Sequence, residues 1–383
     1  GEHTCDERTC GEQTCGERTR GEQTSGEQAR GGQQLNVEWL RVEPLRDRRL
    51  RVEELASVEA LAGIAGEWRA LWERCAWATP FQAPEWLLAW CRHLGGGCVP
   101  RALALREGAR LVGLLPLGEW PDGELALLGR GVTDYLDVLL EDAHAERGAG
   151  ALVAHLNAPS FARFAVCRLD DLRPASPLAA AAPPPGWSAA DARGEPCPIV
   201  RLPPSAAELE RALPRGRWAR VREDRRRAER FGLRAAAVED RAGAEAALEA
   251  LFALHGARWR SRGEPGVMAG DDVRRFHRDA ALRSLARGEL LLHALHFPDG
   301  RIAAVLYGYR ARRRAHTYLC GFDAACARFS PGLLLIAHAL EAALAAGAVE
   351  LDFLRGGERY KYWWGAADRW NLHRVLRRDA SRS

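Results

Sequence analysis

The amino-acid sequence predicts an α/β fold with a mixed sheet, arranged as two lobes behind a tail of repeats. Apolar residues make up 47% of the 383 residues, enough for sizeable cores in more than one domain. A helix pair followed by short apolar strands occurs in each half of the chain. The predicted domains are a tail at residues 1–34, an N-terminal lobe at 35–200 and a C-terminal lobe at 201–383.

The tail consists of polar five-residue repeats such as GEQTC and GEQTS. It has almost no apolar surface to bury, so we expect it to be disordered. Cys5, Cys10 and Cys15 follow the same period, and they suit either a metal-binding tail or, as we prefer, a low-complexity extension. No metal site is expected, because the ten cysteines show no CxxC pair and no zinc-type Cys/His spacing.

Composition excludes few partners but favours a cytoplasmic protein. The net charge of +4 is too small to argue for a nucleic-acid or membrane partner. The most apolar stretch, residues 333–349, is too short to span a bilayer. No signal peptide is visible, and cysteines scattered among apolar residues favour a reducing compartment. Lys361 is the single lysine among 55 basic residues, which indicates a strongly biased genome.

In the N-terminal half, apolar spacing predicts one helix at 61–75 and a second at 83–94, which begins with Pro84 in its first turn. Alternating apolar runs predict the strands that follow, at 102–106, 111–120, 125–128 and 135–140. Residues 173–196 are rich in proline and alanine, which indicates a surface loop or an inter-lobe segment.

The C-terminal half repeats this alternation. Periodicity predicts helices at 217–231, 242–260, 271–287 and 331–346. Strands are predicted at 233–238, 289–297, 301–310, 315–321 and 349–354, with an extended segment at 371–377. Pro298-Asp299-Gly300 lies between two apolar runs and predicts a hairpin.

The segment SPGLLLIAHALEAALAAGAVELDFLRGGERYKYWW (330–364) resembles GNAT acyltransferases, in particular the branch typified by the cellulose-biosynthesis CelD group, which is related to Fem-type peptidoglycan aminoacyltransferases. The segments at 79–90, 134–140 and 254–266, and Phe276-His277, resemble the same family. The resemblance covers roughly residues 50–378. It implies tandem GNAT-like lobes with a complete C-terminal lobe, and acyl or aminoacyl transfer often linked to envelope polysaccharides.

A donor site is predicted where the helix at 331–346 begins. Ser330 suits the N-cap, Pro331 suits the first helical position, and free N–H groups from Gly332 onward can bind an anion. In many GNAT enzymes this position binds the pyrophosphate of coenzyme A, so Arg328, Ser330, Gly332 and Leu333 are the predicted donor-binding residues. Pro331 and Leu333 replace the small residues usual there, which leaves a tRNA-linked or carrier-linked donor open beside acyl-CoA.

Three residues are candidates for the chemistry. Asp352 lies in an apolar strand and could be a general base if burial raises its pKa, or a carboxylate paired with arginine at a sheet edge. Lys361 stands where arginine is the default cation, and a compact ammonium suits a developing oxyanion. Tyr360 could protonate the leaving thiolate, and Tyr362 is an alternative.

Acceptor residues are predicted on the helix at 242–260 and beside the motif. At spacings of three and four, one helix face and its exit carry a histidine, two arginines and a tryptophan that suit an anionic or sugar acceptor. The predicted substrate-binding residues are His255, Arg258, Trp259, Arg262, Arg355 and Trp364. For the four residues on the helix and its exit, His255 to Arg262, a solvated helix face with one core tryptophan is an equally good explanation. The arginine run at 215–230 is interpreted as a solvated face.

These observations predict an acyltransferase that moves an acyl group from acyl-CoA to an amine or hydroxyl of an envelope-polysaccharide-related or small-molecule acceptor. An aminoacyl-tRNA-dependent transferase of the Fem type keeps the same fold with another donor. A non-catalytic assembly protein of a polysaccharide machine is the third possibility. No specific nucleic-acid partner is expected for the first.

Overall fold

A computed structural model describes residues 49–380, where short helices and strands alternate along the chain. The predicted tail at 1–34 and the beginning of the predicted N-terminal lobe lie outside these residues. The strands are β1 (Leu50–Leu55), β2 (Val99–Pro100), β3 (Ala102–Glu107), β4 (Arg110–Leu115), β5 (Leu117–Glu119), β6 (Leu125–Leu127), β7 (Leu139–Leu140), β8 (Val166–Leu172), β9 (Trp187–Arg201), β10 (Arg234–Ala237), β11 (Leu290–His296), β12 (Ile302–Ala311), β13 (Arg314–Phe322), β14 (Glu350–Asp352) and β15 (Ala367–Arg378).

The helices also lie within residues 49–380. They are α1 (Val58–Gly63), α2 (Ala65–Arg74), α3 (Pro84–His93), α4 (Ala145–Ala154), α5 (Pro177–Ala180), α6 (Ala206–Ala212), α7 (Arg217–Arg230), α8 (Arg241–Arg260), α9 (Asp271–Leu285), α10 (Pro331–Ala345) and α11 (Arg359–Trp363). Among residues 49–380, no helix has both the length and the apolar character needed to cross a membrane.

The strands within residues 49–380 form two sheets. The smaller has the order β1-β3-β4-β7, and the larger has the order β10-β11-β12-β13-β14-β9-β15-β8-β6-β5-β2. Most neighbours are antiparallel, whereas β13 pairs with β14, and β6 with β8, in parallel. The predicted α/β class with a large mixed sheet is therefore confirmed.

The larger sheet runs through the predicted lobe boundary at residue 200. β9 pairs with β15 along most of its length and with β14 at its end. The prediction of a loop over 173–196 is therefore wrong for residues 187–196. The prediction rested partly on proline, which has no N–H group to donate. Pro196 and Pro198 nevertheless form backbone hydrogen bonds through their carbonyl oxygens, which accept the amides of Gly356 and Phe353, respectively. The division into two lobes stays a prediction.

Two N-terminal elements also differ from the sequence prediction. The helix predicted at 61–75 is divided into α1 and α2 at Ile64, whose backbone leaves the helical region. The strand predicted at 135–140 is restricted to β7. The carboxylate of Asp137 accepts the amide of its neighbour Val138 and binds Arg173, and such local bonds compete with strand pairing.

The larger sheet carries a helix layer on each face of its C-terminal part. Side chains alternate along β12, so that Val305 and Tyr307 pack with α3, α8 and α9, whereas Ala304 and Leu306 pack with α10. Leu351 and Phe353, on either side of Asp352, belong to the α10 core. Asp352 therefore points to the opposite face, where its side chain meets Tyr135.

Candidate functional site

A gap opens between β13 and β14. The two strands pair only from Arg314 to His316, because β14 ends at Asp352 while β13 continues to Phe322. After Asp352 the chain turns away through Leu354, which has a left-handed φ of 59°. Beyond His316, β13 has no partner strand on this side among residues 49–380, and an extended ligand can pair with such a strand edge. Tyr318 forms a bulge against β12 beside the gap, and bulges of this kind re-aim side chains near sites.

The beginning of α10 lies at the same end of β13. Pro331 occupies the first position of the helix, and the first-turn amides of Gly332 and Leu333 have no partner within the helix. They face outward at the positive end of the helix dipole, which favours an anion. The predicted capping by Ser330 is wrong, because its backbone is left-handed and its side chain makes no capping bond.

Helix α11 supplies the third wall. Its aromatic residues stand just beyond the glycine turn at 356–357, and Trp363 packs edge-on against Trp364 at 4.8 Å between ring centroids. Arg217, at the beginning of α7, lies over the ring of Trp363 at 4.7 Å. The aromatic residues among 360–364, which we call the aromatic wall, are therefore in contact with a guanidinium group.

These elements line a cavity of about 780 Å³, which we call the donor cavity because it contains three of the donor-binding residues predicted from the sequence, Ser330, Gly332 and Leu333. It is lined by Arg217, Arg258, Cys320, Phe322, Ala327, Ser330, Pro331, Gly332, Leu333, Ile336, Arg359, Tyr360, Tyr362, Trp363 and Trp364. Three of these side chains are arginines and none is acidic, so the cavity favours an anionic ligand. Burial raises the pKa of Cys320 to about 12, so its thiol stays protonated at neutral pH and is a poor nucleophile.

The structure brings six of the thirteen predicted site residues to this cavity. They are Arg258, Ser330, Gly332, Leu333, Tyr360 and Trp364. Arg328 lies beside the cavity, with its guanidinium over the rings of Phe231 and Phe329. The roles of these residues stay predictions.

Asp352 is fully buried on the face of the sheet away from α10. One oxygen accepts the hydroxyl of Tyr135 at 2.7 Å, the other accepts the amide of Leu354 at 2.7 Å, and Arg369 lies 3.6 Å away. Burial raises its pKa to about 7 despite these bonds. The pKa suits a general base, but the carboxylate does not line the donor cavity.

Lys361 is likewise buried, with 2% of its surface exposed. Its ammonium donates to the carbonyl oxygens of Leu354, Arg355 and Gly356 at 3.1, 2.6 and 3.0 Å, and pairs with Glu358 at 2.9 Å. These contacts hold the turn before α11, and Lys361 does not line the cavity.

Arg355 and the residues of α8 have protein partners of their own. Arg355 binds Asp134 at 3.1 Å and Asp171 at 2.8 Å, and so ties the motif to the N-terminal half. His255 is buried and accepts the indole N–H of Trp259 at 2.8 Å. Burial, then Arg258, lowers the pKa of His255 to about 4, so the ring is neutral at pH 7. His255, Trp259, Arg262 and Arg355 do not line the cavity, although Arg258 does.

Residues 215–362 match the family model described as an acetyltransferase (GNAT) domain. The match assigns these residues, and not the whole chain, to a GNAT acetyltransferase domain. The prediction of an acyltransferase enzyme is confirmed by this match. The β13–β14 gap, the beginning of α10 and nearly all of the donor cavity lie inside this GNAT domain. A search of curated protein sequences gives no match.

Solved structures share the fold. FemX is 12% identical with a TM-score of 0.57, over 86% of this chain and 95% of that one. A protein designated as the C-terminal domain of a lysylphosphatidylglycerol synthetase from Agrobacterium fabrum is 16% identical with a TM-score of 0.55, over 84% and 92%. The L-PGS of Bacillus licheniformis is 15% identical with a TM-score of 0.50, over 78% and 93%. At these identities the likeness concerns the fold alone.

Several cavity residues were missed by the sequence analysis. Arg217 was assigned to a solvated arginine run, although its position at the beginning of α7 brings it over Trp363. Arg359 stands next to the predicted Tyr360, and its place before the aromatic cluster is a signal that could have identified it. Cys320 and Phe322 lie at the end of β13, which extends beyond its neighbour β14. No local sequence pattern reveals this extension.

Proposed function

We propose that this protein transfers an acyl group from acyl-CoA to an amine or hydroxyl acceptor, with the donor bound in the donor cavity. The carrying observation is the coincidence of three features in one cavity: an unpaired edge of β13, free amides at the beginning of α10, and cationic side chains with aromatic neighbours. A pantetheine arm is extended and carries amides, so the unpaired edge suits it. The amides of Gly332 and Leu333 suit its pyrophosphate.

Transfer requires that the acceptor nitrogen or oxygen attack the thioester carbonyl and lose its proton to water, that the carbon–sulfur bond break, and that the leaving sulfur gain a proton. Tyr360 is the proposed proton donor, because its side chain lines the cavity. Tyr362 suits this role less, because its hydroxyl already donates to Asp368 at 2.8 Å. The pKa of both hydroxyls is raised, that of Tyr360 by burial, so both stay protonated at neutral pH. The protonated thiol of Cys320 argues for direct transfer rather than an acyl-cysteine intermediate.

The acceptor is proposed to be related to envelope polysaccharides or to be a small molecule, as the resemblance to the CelD group implies, and the enzyme is proposed to work in the cytoplasm. The aromatic residues of α11 could stack on a sugar ring or on another flat or apolar face of an acceptor. Arg258 and Arg359 could bind its polar groups.

The donor is tested by calorimetric titration of the full chain with CoA, alongside hydrolysis of acetyl-CoA followed by release of free thiol. We expect saturable CoA binding and slow hydrolysis in the absence of an acceptor. No CoA binding in the wild-type protein would exclude acyl-CoA as the donor.

An aminoacyl-tRNA donor is the second candidate. The fold similarity to FemX and the departures at Pro331 and Leu333 from the usual CoA pattern favour it. Tight, strongly salt-dependent binding of tRNA, together with no binding of CoA, would favour this candidate.

A further inference from the structure

Phe231 is an exposed aromatic residue beside the donor cavity. It follows α7, and 47% of its surface is accessible to solvent. Its ring packs against Phe329 with 5.0 Å between centroids. Phe329 is buried and directly precedes Ser330, which lines the donor cavity. The exposed ring is therefore held at the rim of the cavity on the side where α10 begins.

Positive charge surrounds this ring. The guanidinium of Arg328 lies 5.0 Å from the ring centre of Phe231 and 4.7 Å from that of Phe329. Arg227, one helical turn before Phe231, donates to the carbonyl oxygen of Arg328 at 3.3 Å and also pairs with Asp224 at 2.6 Å. Its charge is therefore partly neutralised, and Arg328 and Arg230 are the main cations here. Arg230 is exposed next to Phe231. An aromatic face with arginines around it has the composition of surfaces that stack a nucleobase and attract its phosphates.

We propose that Phe231 is the stacking platform for the purine base at the nucleotide end of a CoA donor, with Arg328, Arg227 and Arg230 attracting its phosphates. The proposal rests on the proposed acyl-CoA donor. The amides of Gly332 and Leu333 suit the pyrophosphate, and the nucleotide continues from the pyrophosphate away from the thioester. Phe231 lies beside the same helix start, and its exposed surface can take up the base.

Stacking on Phe231 would also compensate for the departure of Pro331 from the usual CoA-binding pattern. Pro331 contributes no N–H group, so this helix start offers fewer amide donors than one with glycine in that place. A base stacked on Phe231 adds affinity at a point that does not depend on the loop amides. The affinity for CoA should then depend more on the nucleotide end than on the pyrophosphate alone.

The test is calorimetric titration of the full chain with CoA and with pantetheine, which has the thiol arm but no nucleotide. Phe231→Ala removes the platform, and Phe231→Trp keeps it with a larger ring. Trp77→Ala is the matched control, because Trp77 is also exposed, at 52%, and carries a guanidinium, that of Arg314, at 4.7 Å, but does not line the donor cavity.

We expect Phe231→Ala to weaken CoA binding about tenfold, the usual effect of losing one stacked base. Pantetheine binding should stay at the wild-type value, Phe231→Trp should bind CoA at least as well as the wild type, and Trp77→Ala should change neither. Wild-type CoA affinity in Phe231→Ala overturns the platform and leaves the donor proposal standing. An equal loss for CoA and pantetheine also overturns it, because the residue then only shapes the cavity. No CoA binding by the wild type overturns both proposals.

Discussion

Replacement of Lys361 by methionine distinguishes a structural role from a chemical one. Methionine has a similar length and no charge, so it removes the ammonium while filling most of its space. In the folded protein three carbonyl oxygens, those of Leu354, Arg355 and Gly356, would lose their common donor. We expect Lys361→Met to destabilise the turn that leads into α11, and with it the aromatic wall of the donor cavity.

The magnitude follows from the burial of the site. Hydrogen bonds from a charged donor contribute about 1.5–3 kcal/mol each, and they are not additive. Each buried carbonyl left without a donor costs about 1–3 kcal/mol, and three carbonyls share this donor. The pair with Glu358 adds little, because 57% of that carboxylate side chain is exposed. The expected loss is therefore about 3–5 kcal/mol in the free energy of unfolding, or a fall of roughly 4–7 °C in Tm.

The assay is thermal unfolding in the absence of any ligand, followed by CoA titration at a temperature where each variant is folded. Lys361→Arg is the companion variant, because a planar guanidinium keeps the charge but cannot direct three donors at carbonyls grouped around one point. It should recover only part of the lost Tm. An unchanged Tm and unchanged CoA affinity in Lys361→Met, together with lost turnover, would refute this reasoning and show that the ammonium acts on the substrate.

Three further variants test the site. Gly332→Asp should weaken CoA binding by about 1–3 kcal/mol in titrations, because its carboxylate repels phosphate; its Cβ would meet only Cys320 Sγ at 3.9 Å, so Tm should hold. Tyr360→Phe should lower kcat about 10²-fold at unchanged CoA affinity, with a smaller loss for Tyr362→Phe. Because burial raises the pKa of Asp352 to about 7, the folded protein keeps a proton that the unfolded chain loses above about pH 4. The contribution of Asp352 to the free energy of unfolding should fall by about 3 kcal/mol from pH 4 to pH 7, and Asp352→Asn should remove this part of the pH dependence in denaturant titrations.

The elements that follow local rules were predictable from sequence. The hairpin at Pro298-Asp299-Gly300 joins β11 to β12 as expected, and α10 begins at Pro331. Turn chemistry and helix starts are decided by a few adjacent residues, so a single sequence contains the signal. The beginning of α10 could be predicted in the same way, and Ser330, Gly332 and Leu333 line the cavity there, while their role in donor binding stays a prediction.

Pairing between distant strands was not predictable in this way. β9 was interpreted as a loop because its prolines and alanines carry no strand pattern, yet it pairs with β15 far along the chain. The gap between β13 and β14 depends on where two strands separated by a whole helix stop pairing. No local pattern records that point, so the residues of β13 that line the cavity were missed.

The sequence analysis assigned catalytic roles to the charged residues of the motif, Asp352 and Lys361, but neither of them lines the donor cavity. Leu354 has a left-handed backbone, which is costly for a residue with a side chain. Asp352 accepts the amide of Leu354 and Lys361 binds its carbonyl oxygen, so the two motif charges hold opposite ends of the same residue. This turn takes the chain away from β13 and opens the gap along the donor cavity. A buried charge in a sequence motif indicates a specific partner, but the sequence alone does not say whether that partner is a substrate or the backbone. Here the hydrogen bonds of Asp352 and Lys361 to the backbone of Leu354 favour a structural role. These two residues are therefore better explained as holding the turn beside the cavity than as a catalytic pair.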